Sequence, residues 1–274
     1  MINFNTDNLI IVCYPRNAGG KFLINSLGLS DCAVFQHAIL AQQQIDGGYS
    51  QIDKINYLKK ELREVGTEWN DLNLGCHELF CVENNIYTDY PSGLIKKFTF
   101  NQTVETLSNS SFKFFIVAHQ PLVCERYLEV WPNAKVIYFK NCAEFISTRP
   151  SQIQRQWDVI KGPSWPNVAP TNIDEFNSLP EFVKQELDTF LYSVKFQLYS
   201  IFQFQQLAIN DHEKSISDFS NCIQWDTNNY FSIDSTVKEI EKLYNLLELN
   251  NFNEEAIREY YILWANKLKE IASK

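Results

Sequence analysis

The chain has no excess of positive charge: 24 Lys and Arg stand against 33 Asp and Glu, for a net charge of −9. Nucleic-acid and anionic-membrane surfaces need clustered cations, so neither is expected as a partner. A small anionic ligand stays open, because it needs only a few local cations and backbone N–H groups. No apolar run approaches the roughly 20 residues of a membrane span, and Met1-Ile2-Asn3-Phe4-Asn5 has neither the basic nor the apolar part of a secretory signal. The expected location is therefore the cytoplasm. Asn101-Gln102-Thr103 and Asn109-Ser110-Ser111 then match the glycosylation pattern by chance. There is no Cys-x-x-Cys pair among the seven cysteines, Cys13, Cys32, Cys76, Cys81, Cys124, Cys142 and Cys222. Their odd number and scattered spacing favour free, mostly buried thiols over a disulfide framework or a zinc site. No low-complexity run, internal repeat or clear linker interrupts the chain.

What remains is ordinary globular composition: 274 residues, 45% hydrophobic, 21% charged and 14% aromatic. A chain of this length buries roughly three-quarters of its unfolded surface and needs no staple. The expectation is one α/β domain over 1–274, with a mostly parallel central sheet flanked by helices on both faces.

The run Leu9-Ile10-Ile11-Val12-Cys13-Tyr14 is short, apolar and β-branched, as a fully buried strand requires. A helix is expected from Phe22, ended by Gly28 or Ser30. Residues 50–65 read as an amphipathic helix with Ser50 and Asp53 as a capping pair, Gly66 beyond it, and Ile52, Ile55, Leu58, Leu62 and Val65 on one apolar face. Residues 112–118 and 135–139 read as two more strands joined by a helix over 122–130, and such a unit makes a parallel sheet. Residues 150–180, rich in Pro, Ser and Asn, are expected to form an irregular insertion. The part from 180 onward is expected to be helical. Its aromatic-rich helix over 180–206 is a candidate homodimer face, with buried core the stronger reading. Two last helices are expected at 235–249, with Val237, Ile240, Tyr244 and Leu247 inward, and at 253–272, with Ile257, Tyr261, Trp264 and Leu268 inward.

Three segments carry chemistry. The first is Tyr14-Pro15-Arg16-Asn17-Ala18-Gly19-Gly20-Lys21-Phe22, between a buried strand and a helix. Small residues there let backbone N–H groups converge on an anion, the helix N-terminus adds partial positive charge, and Arg16 and Lys21 add full charges. The loop departs from the Walker A pattern twice: Pro15 replaces its first glycine, and Phe22 replaces the hydroxyl that holds Mg²⁺. No apolar strand is expected to end in Asp, so phosphate cradling without a metal is the surviving chemistry. The second segment is Ala118-His119-Gln120-Pro121, which places His119 past a strand end, where open α/β sheets bind ligands. Its ordinary pKa near neutrality suits a general base. The third runs from Lys140-Asn141-Cys142-Ala143-Glu144 to Thr148-Arg149, where cation, hydroxyl and cation suit a second phosphate. Taken singly, these are also a glycine turn, a structural histidine and a solvated helix face.

Together, in this order and spacing, the three segments resemble the PAPS-dependent sulfotransferases. Residues 14–20 are similar to that family's Tyr-Pro-Lys-Ser-Gly-Thr-Thr loop, which holds the 5′-phosphosulfate. Residues 118–121 are similar to its Thr-His-Leu-Pro segment, whose histidine is the catalytic base. Residues 140–148 are similar to its strand-end Arg-Asn-x-x-(Asp/Glu) segment with a Ser eight residues on, where Arg and Ser hold the 3′-phosphate. The resemblance implies a metal-independent transfer of a sulfuryl group from PAPS to a hydroxyl or amine on a small-molecule or glycan acceptor. It implies Arg16, Asn17, Ala18, Gly19, Gly20, Lys21 and Phe22 around the 5′-phosphosulfate, and Lys140, Thr148 and Arg149 around the 3′-phosphate. His119 is then the base, with Arg16 or Lys21 stabilising the leaving phosphate oxygen. Arg16 stands where the family has Lys, Lys140 where it has Arg, and Gly19 and Gly20 where it has threonines. The Arg-Lys-Gly segment of its cytosolic members has no counterpart. Two other readings stay open: a non-catalytic nucleotide-binding or interaction protein, and a P-loop kinase or NTPase.

Overall fold

The computed structural model describes residues 8–15, 18–33, 50–63, 113–118, 121–130, 132–148, 209–210, 212–219 and 222–272. Four parallel strands form one sheet: β1 (Leu9–Cys13), β2 (Phe114–Ala118), β3 (Lys135–Lys140) and β4 (Ile223–Asp226), in the order β2-β1-β3-β4. The helices are α1 (Gly20–Gly28), α2 (Gln51–Arg63), α3 (Pro121–Val130), α4 (Cys142–Ser147), α5 (Ile233–Leu246) and α6 (Glu254–Ala272). The fold is therefore α/β, with a four-stranded all-parallel sheet flanked by helices. The expected insertion over 150–180 and helix over 180–206 lie outside the described residues.

β1 is buried along its whole length because it lies between β2 and β3 and is covered on both faces. Side chains alternate across a strand, and the alternation divides the core. Ile10 and Val12, with Phe115, Val117, Ile137 and Phe139 of the neighbouring strands, join the cluster formed with α1, α5 and α6. On the other face Tyr138 stacks on His212 and Phe219, and α3 packs on β1 and β2. Strand order explains the division. The chain leaves β1 for β2 on one side, then crosses back over β1 to β3. Right-handed crossovers in opposite directions place their helices on opposite faces.

The local signals behave as their chemistry dictates. Ser50 and Asp53 cap α2 reciprocally: Ser50 N–H and Oγ–H donate to Asp53 Oδ2 at 2.9 and 2.6 Å, and Asp53 N–H donates to Ser50 Oγ at 3.3 Å. These bonds hold the Asp53 carboxyl below its ordinary pKa. Ser232 and Asn253 cap α5 and α6 through the N–H groups of Ser235 and Ala256. α5 ends at Leu246 rather than at the expected 249, because Glu248 takes the left-handed conformation (φ 57°). Leu249 N–H then reaches back to Tyr244 C=O at 2.8 Å and Glu248 N–H to Asn245 C=O at 3.3 Å, a Schellman closure.

One face differs from expectation. Ile52, expected inward on α2, is 69% exposed, and Lys54 is fully buried. Lys54 Nζ donates to the carbonyls of Gly28, Ser30 and Ala33 at 2.8, 2.6 and 3.2 Å. The C-terminal end of α1 leaves carbonyls without intrahelical donors and carries partial negative charge. A lysine from the adjacent helix supplies both donors and charge, so α2 turns that face inward.

Candidate functional site

The carboxyl ends of the parallel strands converge on three connections, those following β1, β3 and β4. After β1, Tyr14 N–H donates to Ala118 C=O at 2.9 Å, which extends the β1–β2 pairing by one residue. Ala18 N–H donates to Pro15 C=O at 3.1 Å, and Gly19 then enters α1 as its N-cap with φ 80°. An L side chain rarely adopts that φ, which accounts for glycine at 19. Leu23 N–H to Gly19 C=O, at 3.4 Å, is the first helical bond. The N–H groups ahead of it are those that a helix start leaves without an intrahelical partner.

The N-cap of α1, Gly19, offers no side-chain cap, and the first turn of the helix holds no acid. α2, α5 and α6, in contrast, each have a side-chain cap and an acidic residue in the first turn. Gly20 is buried and Gly19 and Lys21 are half-buried, so this helix start is partly shielded from water. The arrangement suits an anion.

The glycine pair is read differently from its structure than from its sequence. A Cβ at Gly20 would lie 2.2 Å from the Tyr14 ring, and one at Gly19 would lie 2.8 Å from the Tyr230 ring and 3.0 Å from that of Phe145. Tyr230 Oη–H also donates to Gly19 C=O at 2.9 Å. The close approach that the glycines permit is thus made by the protein's own rings. This is why positions 19 and 20 hold no threonine: its side chain would compete with Tyr14 or Tyr230 for the same volume. Gly20→Ala is expected to cost about 1–3 kcal/mol through overpacking. Adding Tyr14→Leu should recover part of that loss, and strictly additive losses in urea unfolding would show that the new methyl does not meet the ring.

Phe22 faces the core. It stacks on Trp264 and Tyr260 at centroid distances of 4.4 and 5.1 Å and is 1% exposed. Its side chain is therefore a packing group, and only its backbone N–H faces the helix start. Ala18 is likewise fully buried.

After β3, Lys140 is half-buried and sits opposite Asp226 in the register of β3 and β4. Among the described residues Lys140 Nζ has no hydrogen bond or ion pair. Asn141 follows in the left-handed conformation (φ 58°), and α4 begins at Cys142. α4 is one and a half turns long, and Thr148 is its C-cap. Thr148 Oγ–H donates to Phe145 C=O at 2.7 Å, so the hydroxyl presents lone pairs rather than its proton to a ligand. Arg16, Asn17, His119 and Arg149 lie outside the described residues. His119 follows Ala118, the last residue of β2, in the chain.

Sequence reasoning missed β4, and with it a strand that ends in aspartate. The signal was Ile223-Gln224-Trp225-Asp226, a four-residue alternation of apolar and polar side chains. Asp226 is on the outer strand, two spacings or about 10 Å from β1, and so is removed from the β1–α1 loop. Its carboxylate is engaged locally. Oδ1 accepts from Asn228 N–H at 3.0 Å and Oδ2 from Asn141 Nδ2–H at 2.8 Å.

The second omission is the 212–213 pair. Glu213 Oε1 accepts from Cys142 N–H at 2.9 Å, capping α4 from a distant part of the chain. His212 Nε2–H donates to Phe139 C=O at 2.7 Å, since a carbonyl only accepts. Burial drives the His212 pKa down to about 4, so its ring is neutral near pH 7. Burial, then the nearby Glu213 and Asp226 carboxylates, push the Cys142 thiol up, which makes it a packing group rather than a nucleophile. Among the described residues no group of three His, Cys, Asp or Glu side chains is placed to hold a metal, and no helix is long and apolar enough to cross a membrane.

Comparison of the chain with protein-family models, with curated proteins and with solved structures finds no match.

Proposed function

We propose that the protein binds a 3′,5′-phosphorylated adenosine nucleotide across the carboxyl edge of its sheet and, more specifically, that it is a sulfotransferase using PAPS. The observation that carries this reading is the start of α1: a half-buried helix N-terminus whose N-cap is glycine and whose first turn holds no acid, following an inner strand of a parallel sheet. Lys140 supports it as a half-buried cation without an ion pair among the described residues, at the end of the adjacent strand. The two positions suit the two phosphates of one nucleotide. The 5′-phosphosulfate would meet the backbone N–H groups of Gly19 to Phe22 and the Arg16 and Lys21 charges. The 3′-phosphate would meet Lys140 and Arg149. His119 would take the acceptor's proton as its oxygen or nitrogen attacks sulfur, and the S–O bond to the leaving 5′-phosphate would break. Positioning and fixed charge would supply the catalysis.

A non-catalytic nucleotide binder is the second reading, favoured by Tyr14 and Tyr230 occupying the space of two loop hydroxyls. Calorimetric titration with adenosine 3′,5′-bisphosphate, with ATP·Mg²⁺ in parallel, tests both. Micromolar bisphosphate binding is expected, lost in Lys140→Ala/Arg149→Ala. Absence of binding at protein concentrations that would reveal a millimolar Kd rejects both readings. Binding without transfer from PAPS to any of a panel of phenol, alcohol, amine and glycan acceptors selects the second.

A further inference from the structure

The turn that carries Lys140 is held by hydrogen bonds from residues far along the chain, 212–213 and 226–227, and none of the groups that hold it was singled out from the sequence. Thr227 is fully buried, and its Oγ–H is shared between Lys140 C=O at 3.1 Å and Asn141 C=O at 2.6 Å. Glu213 accepts the Cys142 N–H at 2.9 Å, and His212 donates to Phe139 C=O at 2.7 Å. Asp226 takes the Asn141 side chain at 2.8 Å. The backbone is thereby fixed on both sides of Lys140, and Asn141 is kept at φ 58°, a left-handed conformation that asparagine adopts more readily than most residues other than glycine. Such conformations persist where their surroundings over-determine them, and they concentrate at ligand clamps and active sites.

We infer that Thr227 and Glu213 are positioning residues of the nucleotide site, holding the Phe139–Cys142 turn so that Lys140 meets the 3′-phosphate. The inference rests on the function proposed above. Neither residue is a phosphate ligand: the hydroxyl proton of Thr227 is spent on carbonyls, and the Glu213 carboxylate would repel an anion. They act by removing freedom from the turn before the ligand arrives, so that less has to be ordered on binding.

The test is calorimetric titration of four variants with adenosine 3′,5′-bisphosphate, each first shown to be folded by thermal melting. Thr227→Val and Glu213→Ala, which delete the oxygen, are expected to bind about tenfold more weakly, the size of one lost hydrogen bond. Thr227→Ser and Glu213→Gln keep an oxygen in place and are expected to bind within about threefold of the parent chain. If Thr227→Val does not fold, the Glu213 pair carries the test alone. Folded deletion variants that bind like the parent overturn the inference and leave the proposed function standing. So does Glu213→Gln binding as weakly as Glu213→Ala, because charge rather than the cap would then matter. If the parent chain itself does not bind the bisphosphate, the inference falls together with the reading on which it rests.

Discussion

Replacing Lys54 by methionine is expected to destabilise the fold more than any substitution at an exposed apolar position of the same helix. Methionine matches the lysine stem in length and removes the ammonium, so the carbonyls of Gly28, Ser30 and Ala33 lose a common donor. Ser30 C=O still receives Ala33 N–H at 3.2 Å, which softens the loss at that one acceptor. The expected cost is about 2–4 kcal/mol, since a buried acceptor stripped of its donor costs about 1–3 kcal/mol. For a chain of this size that is a fall in melting temperature of roughly 5–15 °C. Ile52→Ala is the control, expected within about 0.5 kcal/mol of the parent chain. A larger loss for Ile52→Ala than for Lys54→Met would mean that α2 turns its other face inward.

The same residue predicts a pH dependence. Burial lowers the Lys54 pKa from 10.5 to about 8. Between those values the unfolded chain binds the proton and the folded chain does not, so stability rises with pH across that window. Below about pH 8 both states are protonated and the desolvation cost of the buried ammonium is fully present. The advantage of the parent chain over Lys54→Met should therefore grow from pH 8 to 10.5 in denaturant titrations. A difference that shrinks over that range would show that the three carbonyls favour the ammonium more than burial opposes it.

If the proposed function holds, His119→Ala lowers sulfuryl transfer by about 10²–10⁴-fold, the usual contribution of a positioned general base. The expectation rests on chain position and chemistry. His119 follows Ala118, whose carbonyl accepts the Tyr14 N–H at the start of the β1–α1 connection. A base that acts on the acceptor alone leaves cofactor affinity intact, so the bisphosphate Kd should change by less than about threefold while kcat falls. The acidic limb of the kcat/KM profile, which reports the free base, should also disappear. Near-parental turnover would remove His119 from the mechanism. A parallel loss of bisphosphate binding would make it a cofactor ligand instead.

Much of the sheet was legible from the sequence because a buried parallel strand leaves a local mark. Leu9 to Cys13 and Val136 to Phe139 are continuous apolar runs, and each lies in a strand that ends within a residue of its expected end. The Ser50–Asp53 cap and the inward faces of α5 and α6 were legible for the same reason, since capping and helical periodicity involve residues three or four apart. β4 was not, because its alternation Ile223-Gln224-Trp225-Asp226 spans only four residues, the shortest run over which a period of two can be read. Of the candidate site the sequence offered a loop, a histidine and a strand-end lysine, and the described residues hold the end of that loop and Lys140. Which atoms are already engaged depends on partners far away in the chain: Tyr230 on Gly19, Glu213 on Cys142 and Thr227 on Lys140.

By itself the sequence determined three of the four described strands, the inward faces of α5 and α6, the Ser50–Asp53 cap, and that a glycine-bearing loop follows the first strand. These follow from short-range backbone chemistry and hydrophobic period. Only the tertiary structure decided the strand order, the burial of Lys54 in place of Ile52, and the filling of the glycine pair by Tyr14 and Tyr230. It also decided the clamping of the Lys140 turn. Each of these was settled by a group that had to find a hydrogen-bond partner or a packing volume across the fold, and no local pattern records which partner it finds.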